Sequence, residues 1–129
     1  MNLAVRTARL FLGLTLVVFG VNPWLQFLPL PDLNEAAGAF FAAMASSYLL
    51  TFVKITEVVG GLLLLAGRFV PLALIILAPV MLNILGFHLF LDTTGLVLAL
   101  LLTGLQVFLA WAYRDAFTGV LAMNARPKV

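Results

Sequence analysis

The sequence predicts an all-α integral membrane protein: a bundle of four transmembrane helices, with a short outer-surface helix between the first two. Of its 129 residues, 64% are hydrophobic and only 9% are charged, against about 45–50% and about 25% in soluble domains. A domain this small cannot hide so much apolar surface from water. Four apolar stretches are also long enough to cross a bilayer as helices, and the charged residues lie mainly between them.

Length and composition exclude several classes of function. The chain is predicted to form a single domain over residues 1–129, with no room for a separate soluble catalytic domain or a nucleotide-binding sheet. Its net charge of +2 is expected to orient the chain in a bilayer and not to bind nucleic acid. Because the sequence has no cysteine, thiol redox chemistry, a thiolate metal site and disulfides are excluded for this chain.

The first span begins with two basic side chains that can snorkel, Arg6 and Arg9, and is expected to stop at Pro23, which has no N–H. A cleaved signal peptide is the alternative, but no small-residue cleavage site follows the apolar run. Pro71 suits the first turn of the third span. The four spans are predicted at residues 4–22, 48–66, 70–90 and 94–113.

Charges in the loops predict the orientation of the bundle. If the spans alternate, every Lys and Arg of the connections and tails falls on one side, and no Lys or Arg occurs in the connections on the other side. The basic side holds Arg6, Arg9, Arg68, Arg114, Arg126 and Lys128, and the acidic side holds Asp32, Glu35 and Asp92. The positive-inside rule then places both termini in the cytoplasm, and we expect a bacterial inner membrane protein. Aromatic residues at the span ends, Trp24, Tyr48, Trp111 and Tyr113, fit an interfacial belt.

The segment between the first two spans predicts a helix of its own. Asp32 is a candidate N-cap, with Glu35 three residues later as the acid of a capping box. The Ala-rich continuation is either an outer-surface helix or a bent extension of the second span. Ala39, Ala43 and Ser47 recur every four residues and form a small-residue ridge. We expect it to pack within the chain, with a homo-oligomer contact as the alternative.

Two charged residues lie inside the second span, where function is the default hypothesis. Glu57 lies roughly 14 Å below the outer end of this span, and Lys54 lies one turn above it on the same face, so the two can neutralise each other. In the third span Asn83 lies about 10 Å below the outer surface, level with Lys54, and His88 lies near the interface. These two point about 140° apart and need not share one site.

Each of these polar residues also has a structural interpretation. The Lys54–Glu57 pair can be a packing device, Asn83 an interhelical hydrogen bond, and His88 an interfacial anchor or a capping partner for Asp92. Asn22 and Gln26 are placed near the outer mouth, and Gln106 lies deeper. One histidine with scattered carboxylates is too few ligands for a metal site, and a lone candidate axial ligand argues against haem.

Between Glu57 and Phe90 an acid, a glycine pair, a Gly-Arg turn and then Pro, Asn and His follow one another in that order. In this order of residues the chain resembles the DoxX-like family of small four-helix membrane proteins, most specifically from Glu57 to Phe90. The matching stretches are Arg9-Leu10-Phe11-Leu12-Gly13-Leu14, Phe19-Gly20-Val21-Asn22, Glu57-Val58-Val59-Gly60-Gly61-Leu62-Leu63-Leu64-Leu65-Ala66-Gly67-Arg68, Leu77-Ala78-Pro79-Val80-Met81-Leu82-Asn83 and Phe87-His88-Leu89-Phe90.

This resemblance implies a functionally mixed set of roles. One branch looks like the membrane subunit of thiosulfate:quinone oxidoreductase, others are linked to oxidative-stress complexes, and related eukaryotic proteins act in receptor assembly or cargo export. Thiosulfate chemistry in this chain would require a partner subunit, since the chain has no cysteine and no soluble domain.

The leading hypothesis is a pocket in the outer half of the bundle that binds a quinone, a quinol or a similar amphipathic ligand within a redox-linked complex. Glu57 would accept a proton, Lys54 and Asn83 would donate hydrogen bonds to a quinone carbonyl, and His88 would pass protons outward. Asn22 completes the predicted ligand-binding set. The expected partners are membrane lipid, a soluble or membrane redox subunit, and a second copy of the chain. The rival is a non-catalytic assembly protein, and a proton or small-solute pathway is a third alternative.

Overall fold

The computed structural model describes residues 2–29 and 32–129. Within these ranges the chain forms five α-helices and no strand, and short 3₁₀ turns precede and follow the last helix. Four of the helical segments found there are long and apolar enough to cross a membrane. The all-helical membrane fold is therefore confirmed. The helices are α1 (Leu3–Leu25), α2 (Glu35–Ala45), α3 (Leu49–Ala66), α4 (Val70–Phe90) and α5 (Leu96–Ala112).

Short connections make successive spans antiparallel, so the bundle has two ends of opposite charge. Only three residues join α3 to α4, and five join α4 to α5. We call the end that carries Asp32, Glu35 and Asp92 the acidic end, and the opposite end the basic end. The structure contains no membrane, so the assignment of the basic end to the cytoplasm stays a prediction.

The closest packing joins α1 to α3 through two glycines. A Cβ placed on Gly61 would lie 2.8 Å from the carbonyl oxygen of Gly13, and one placed on Gly13 would lie 2.9 Å from the carbonyl oxygen of Gly61. The two backbones are therefore in direct contact, as small residues allow in membranes. Buried leucines from α1, α3, α4 and α5 form the core around this contact, among them Leu12, Leu64 and Leu77.

Arg9 does not snorkel to the interface as predicted. Its side chain is only 8% exposed and its guanidinium lies against Gly67, where α3 ends in the left-handed conformation (φ 69°). Arg9 lies one turn before Gly13, on the side of α1 that packs on α3. Its positive charge is favourable beside the C-terminus of a helix, which carries the negative end of the helix dipole.

The first span also runs further than predicted, because Pro23 lies inside α1 and does not end it. The helix continues to Leu25 and ends at Gln26 in the left-handed conformation (φ 52°). A proline inside a helix leaves the carbonyl four residues earlier without its N–H partner. For Pro23 this is the carbonyl of Phe19, which accepts a hydrogen bond from the Lys54 side chain of α3 instead.

The predicted helix after the first span exists, but its cap is different. Asn34, and not Asp32, is the N-cap of α2, since its side chain accepts a hydrogen bond from the backbone N–H of Ala37. Its amide also donates to the carbonyl of Leu91 (2.6 Å), which ties α2 to the end of α4. Helix α2 ends at Ala45, so it is a separate helix and not an extension of α3. Its small-residue ridge, Ala39, Ala43 and Ser47, is exposed, so the expected packing within the chain is wrong.

Candidate functional site

A cavity of about 540 Å³ occupies the acidic end of the bundle. All five helices contribute to its wall, together with Leu28, Pro29 and Leu33 before α2 and Asp92, Thr94 and Gly95 before α5. This volume lies in the range of small-molecule sites, about 300–1,000 Å³. The wall includes all five residues predicted from the sequence to bind a ligand: Asn22, Lys54, Glu57, Asn83 and His88. Most of the remaining wall is aromatic and aliphatic, including Phe19, Phe40, Phe41, Phe87, Leu98 and Leu102.

The predicted ion pair forms at the inner part of this cavity. Lys54 Nζ lies 3.2 Å from Glu57 Oε2 and 3.4 Å from Oε1. Glu57 is 2% exposed and the Lys54 side chain 18%, so the carboxylate is the more deeply buried partner. Lys54 Nζ also donates to the carbonyl of Phe19 (3.4 Å), the one that Pro23 leaves without an N–H. Pro23 in α1 thus provides a third acceptor for a lysine in α3.

Asn22 has a structural task within the cavity wall. Its Oδ1 accepts a hydrogen bond from the backbone N–H of Leu28 (2.9 Å), and its Nδ2 donates to the carbonyl of the same residue (3.3 Å). Both ends of the buried amide are therefore engaged by the turn after α1. Asn22 shapes the cavity, while its polar atoms are already paired within the chain.

His88 stands on the cavity wall near the acidic end. Its Nδ1 lies 3.0 Å from the backbone oxygen of Asp92. A carbonyl only accepts, so Nδ1 carries the proton, and Nε2 of the neutral ring is an acceptor. The ring packs against Gly95, where there is no space for a Cβ. Asp92 itself is buried, and its Oδ1 accepts hydrogen bonds from the N–H and the hydroxyl of Thr94. The contact between His88 Nδ1 and the backbone oxygen of Asp92 is the one that the structural interpretation of His88 predicted.

Asn83 shares the cavity with His88, although the two positions lie far apart around α4. His88 faces the turn between α4 and α5, whereas Asn83 faces α3 and also borders a second hollow on that side. The Asn83 side chain is exposed, and no partner for its amide is found in the described part of the chain. Of the predicted residues, Asn83 is the one whose donors and acceptor are available.

Two other polar residues considered from the sequence lie outside the cavity wall. Gln26 is exposed at the end of α1. Gln106 is buried, and its Nε2 donates to the carbonyl of Leu74 (2.8 Å), so it joins α5 to α4. Sequence reasoning missed Asp92 and Thr94 as parts of the wall. The Asp-Thr-Thr-Gly sequence before α5 was the available signal for a capped turn, and Asp92 does cap the turn by accepting from the N–H of Thr94.

The cavity combines a few polar groups with a predominantly apolar wall, which suits an amphipathic molecule with a ring or small polar head. The ammonium of Lys54 and the amide of Asn83 can donate hydrogen bonds, while Glu57 and His88 Nε2 can accept protons. Among residues 2–29 and 32–129, no three His, Asp or Glu side chains are grouped as metal ligands.

Comparison with known proteins supports a family assignment. Neither the curated proteins nor the solved structures include a significant match. A family model described as DoxX matches residues 4–89, which is well over half of the chain and includes α1 to α4 almost completely. The four apolar spans and this match agree with the resemblance seen in the sequence. The chain therefore belongs to the DoxX family of membrane proteins.

Proposed function

We propose that this protein is a membrane subunit that binds a quinone, a quinol or a similar amphipathic ligand in the cavity at the acidic end, as part of a redox-linked complex. One observation carries the proposal. Lys54 and Glu57 of α3 and Asn83 and His88 of α4 lie on the wall of a single, largely apolar cavity. Polar groups that converge on a largely apolar cavity are the usual mark of a ligand site.

Each residue has a role in the proposed site that follows from its hydrogen-bonding capacity. Asn83 donates to a carbonyl of the head group, and Lys54 adds positive charge beside it. Glu57 accepts a proton at its carboxylate, and His88 moves a proton between Nε2 and the acidic end. A bound quinone would supply the capacity to carry electrons together with protons. A partner subunit supplies the electrons in this proposal.

Changing Glu57 to Gln tests the proposal, with Glu35→Gln as the matched control. Glu35 is an exposed acid at the start of α2 and does not line the cavity. We expect detergent-purified native protein and Glu35→Gln to retain a quinone or another amphiphile at about one molecule per chain. Glu57→Gln should retain about tenfold less, since it loses the charge-assisted hydrogen bond that the carboxylate accepts from a quinol hydroxyl, and such a bond is worth about 1.5–3 kcal/mol. Mass spectrometry of the extracted small molecules measures the occupancy.

Two results would count against this function: native protein that carries no amphiphile after mild extraction, or equal occupancy in native protein, Glu57→Gln and Lys54→Ala. Melting temperatures are measured on the same samples. They separate loss of ligand from loss of the fold.

A specific observation favours the rival function, an assembly protein whose polar cluster only fixes helix packing. Several of the polar groups already have partners within the chain: Lys54 with Glu57, Asn22 with Leu28, and His88 with Asp92. This alternative predicts that Glu57→Gln lowers the melting temperature or dissociates an oligomer, while no small molecule is lost.

We further propose that the protein lies in a bacterial inner membrane with the basic end in the cytoplasm, so that the cavity opens towards the outer face. The supporting observation is the separation of basic and acidic loop residues. A fluorescent protein fused after Val129 should be bright in cells, and alkaline phosphatase fused there should be inactive. The opposite pair of results would invert the orientation and place the cavity at the cytoplasmic face.

A further inference from the structure

A second hollow of about 550 Å³ lies between α3 and α4 on the outside of the bundle. Its walls are formed by Phe52, Thr56 and Val59 of α3 and by Ile76 and Pro79 of α4. We call it the α3–α4 groove. Its one hydroxyl, that of Thr56, is already bonded to the carbonyl of Phe52 (2.9 Å). The groove therefore offers an apolar surface to whatever lies in it.

The groove is confined to the part of the interface nearer the acidic end. Towards the basic end the two helices close together, because Gly60 packs so tightly on Leu77 that a Cβ would have no space. The three-residue connection from α3 to α4 holds them together there. At the acidic end the two helices are linked through α2, whose Asn34 bonds the Leu91 carbonyl at the end of α4 and whose Met44 borders the groove.

The groove and the polar cavity meet at three residues. Met44, Val53 and Asn83 border both hollows. Val53 and Met44 are apolar, whereas the available amide of Asn83 stands at the junction. An amide without a partner is costly in a lipid environment, so a polar group placed at this junction would be stabilised by Asn83.

We propose that the α3–α4 groove holds the apolar chain of the ligand whose polar head occupies the cavity, and that the ligand reaches the cavity sideways from the bilayer between α3 and α4. This inference rests on the proposed function. The shared border of the two hollows favours this occupant: a head beside Lys54 and Glu57 would have its chain leaving past Asn83 into the groove. From Val53 to Val59 the groove runs about 9 Å along α3, less than the length of an extended decyl chain.

The test compares two probes, a dimethoxy-methyl-benzoquinone without a side chain and the same ring with a decyl chain. Equilibrium binding is measured in identical detergent micelles. The chain gain is defined as the Kd of the chainless ring divided by the Kd of the ring with the decyl chain. Val59→Trp fills the groove at a position that is 45% exposed, and Val107→Trp on α5, 63% exposed, is the matched control outside it. Comparing proteins in the same micelles cancels the partitioning of the chain into detergent.

We expect Val59→Trp to lower the chain gain by about tenfold, the value of roughly two buried methylenes, and to leave binding of the chainless ring unchanged. Val107→Trp should match native protein in both. Phe52→Ala, which removes part of the groove wall, should lower the chain gain less, and Phe11→Ala on the exposed side of α1 should not lower it.

An equal chain gain in native protein, Val59→Trp and Val107→Trp would overturn the groove proposal while the cavity site stands. Loss of the chainless ring in Val59→Trp would also overturn it, because the groove would then not be specific for the chain. If neither quinone binds native protein, the proposed function fails and this inference fails with it.

Discussion

Replacing Lys54 with Met is expected to lower the free energy of unfolding by about 3–5 kcal/mol, the usual cost of breaking a buried ion pair from one side. The reason is that the Glu57 carboxylate, 2% exposed, stays buried while both of its oxygens lose the ammonium that they contact at 3.2 and 3.4 Å, so its charge is left without a partner. The carbonyl of Phe19 loses its donor in the same variant. Unfolding by SDS in mixed micelles measures the change.

The double variant Lys54→Met with Glu57→Leu identifies the cause of that loss. Because an apolar pair of similar volume leaves no buried charge, we expect it to recover most of the stability. Leu62→Met, on the lipid-facing side of the same helix, should change stability by less than about 1 kcal/mol. If the double variant is as unstable as Lys54→Met alone, the ion pair is not what stabilises this part of the fold. If the double variant recovers its stability but no longer binds the ligand, the ion pair is needed for binding and an apolar pair can replace it in packing.

Gly61→Ala is expected to lower the free energy of unfolding by about 1–3 kcal/mol, because the added methyl must push α1 away from α3. The new Cβ would lie 2.8 Å from the Gly13 carbonyl oxygen and 3.2 Å from the backbone nitrogen of Val17, and backbone atoms cannot rotate aside. Gly104→Ala on α5 is the matched control, since nothing lies within 4 Å of its Cβ position. That control should be neutral or stabilising by up to about 1 kcal/mol.

The contact between the two glycines also predicts how their effects combine. Once α1 and α3 have moved apart for one methyl, a second methyl on Gly13 meets less resistance. The double variant Gly13→Ala with Gly61→Ala should therefore cost clearly less than the sum of the single variants. Additive effects, or equal losses in Gly61→Ala and Gly104→Ala, would show that the two backbones do not touch.

The class of the protein and its helical spans were predictable from the sequence because they depend on local quantities. A run of about 20 apolar residues must satisfy its backbone within a helix wherever it lies in a bilayer. The Lys54–Glu57 contact was predictable for the same reason, since two residues three apart on a helix are neighbours before any tertiary contact forms. The match of residues 4–89 to the DoxX family agrees with the residues that carried the resemblance.

The errors fall where another helix decides a residue's environment. Pro23 was expected to end the first span, but the Phe19 carbonyl that it leaves without an N–H is bonded by Lys54 from α3. Arg9 was expected to snorkel, but the close α1–α3 packing places it beside Gly67. In each case the local rule correctly identified a polar group that needs a partner. It could not predict which residue of a neighbouring helix provides that partner.

The sequence by itself determined that this chain has four apolar helices long enough to cross a membrane, that its loop charges are separated between the two ends of the bundle, and that Lys54 lies beside Glu57. Only the tertiary structure decided that Asn83 and His88, about 140° apart on α4, border one cavity, because α3 lies against one and the Asp92–Gly95 turn against the other. It also decided that Asn22 is hydrogen-bonded to the backbone of Leu28 and that Asn83 borders both the cavity and the groove. Periodicity fixes the direction of a side chain from its own helix axis, whereas a site depends on which neighbours fill the space it points into.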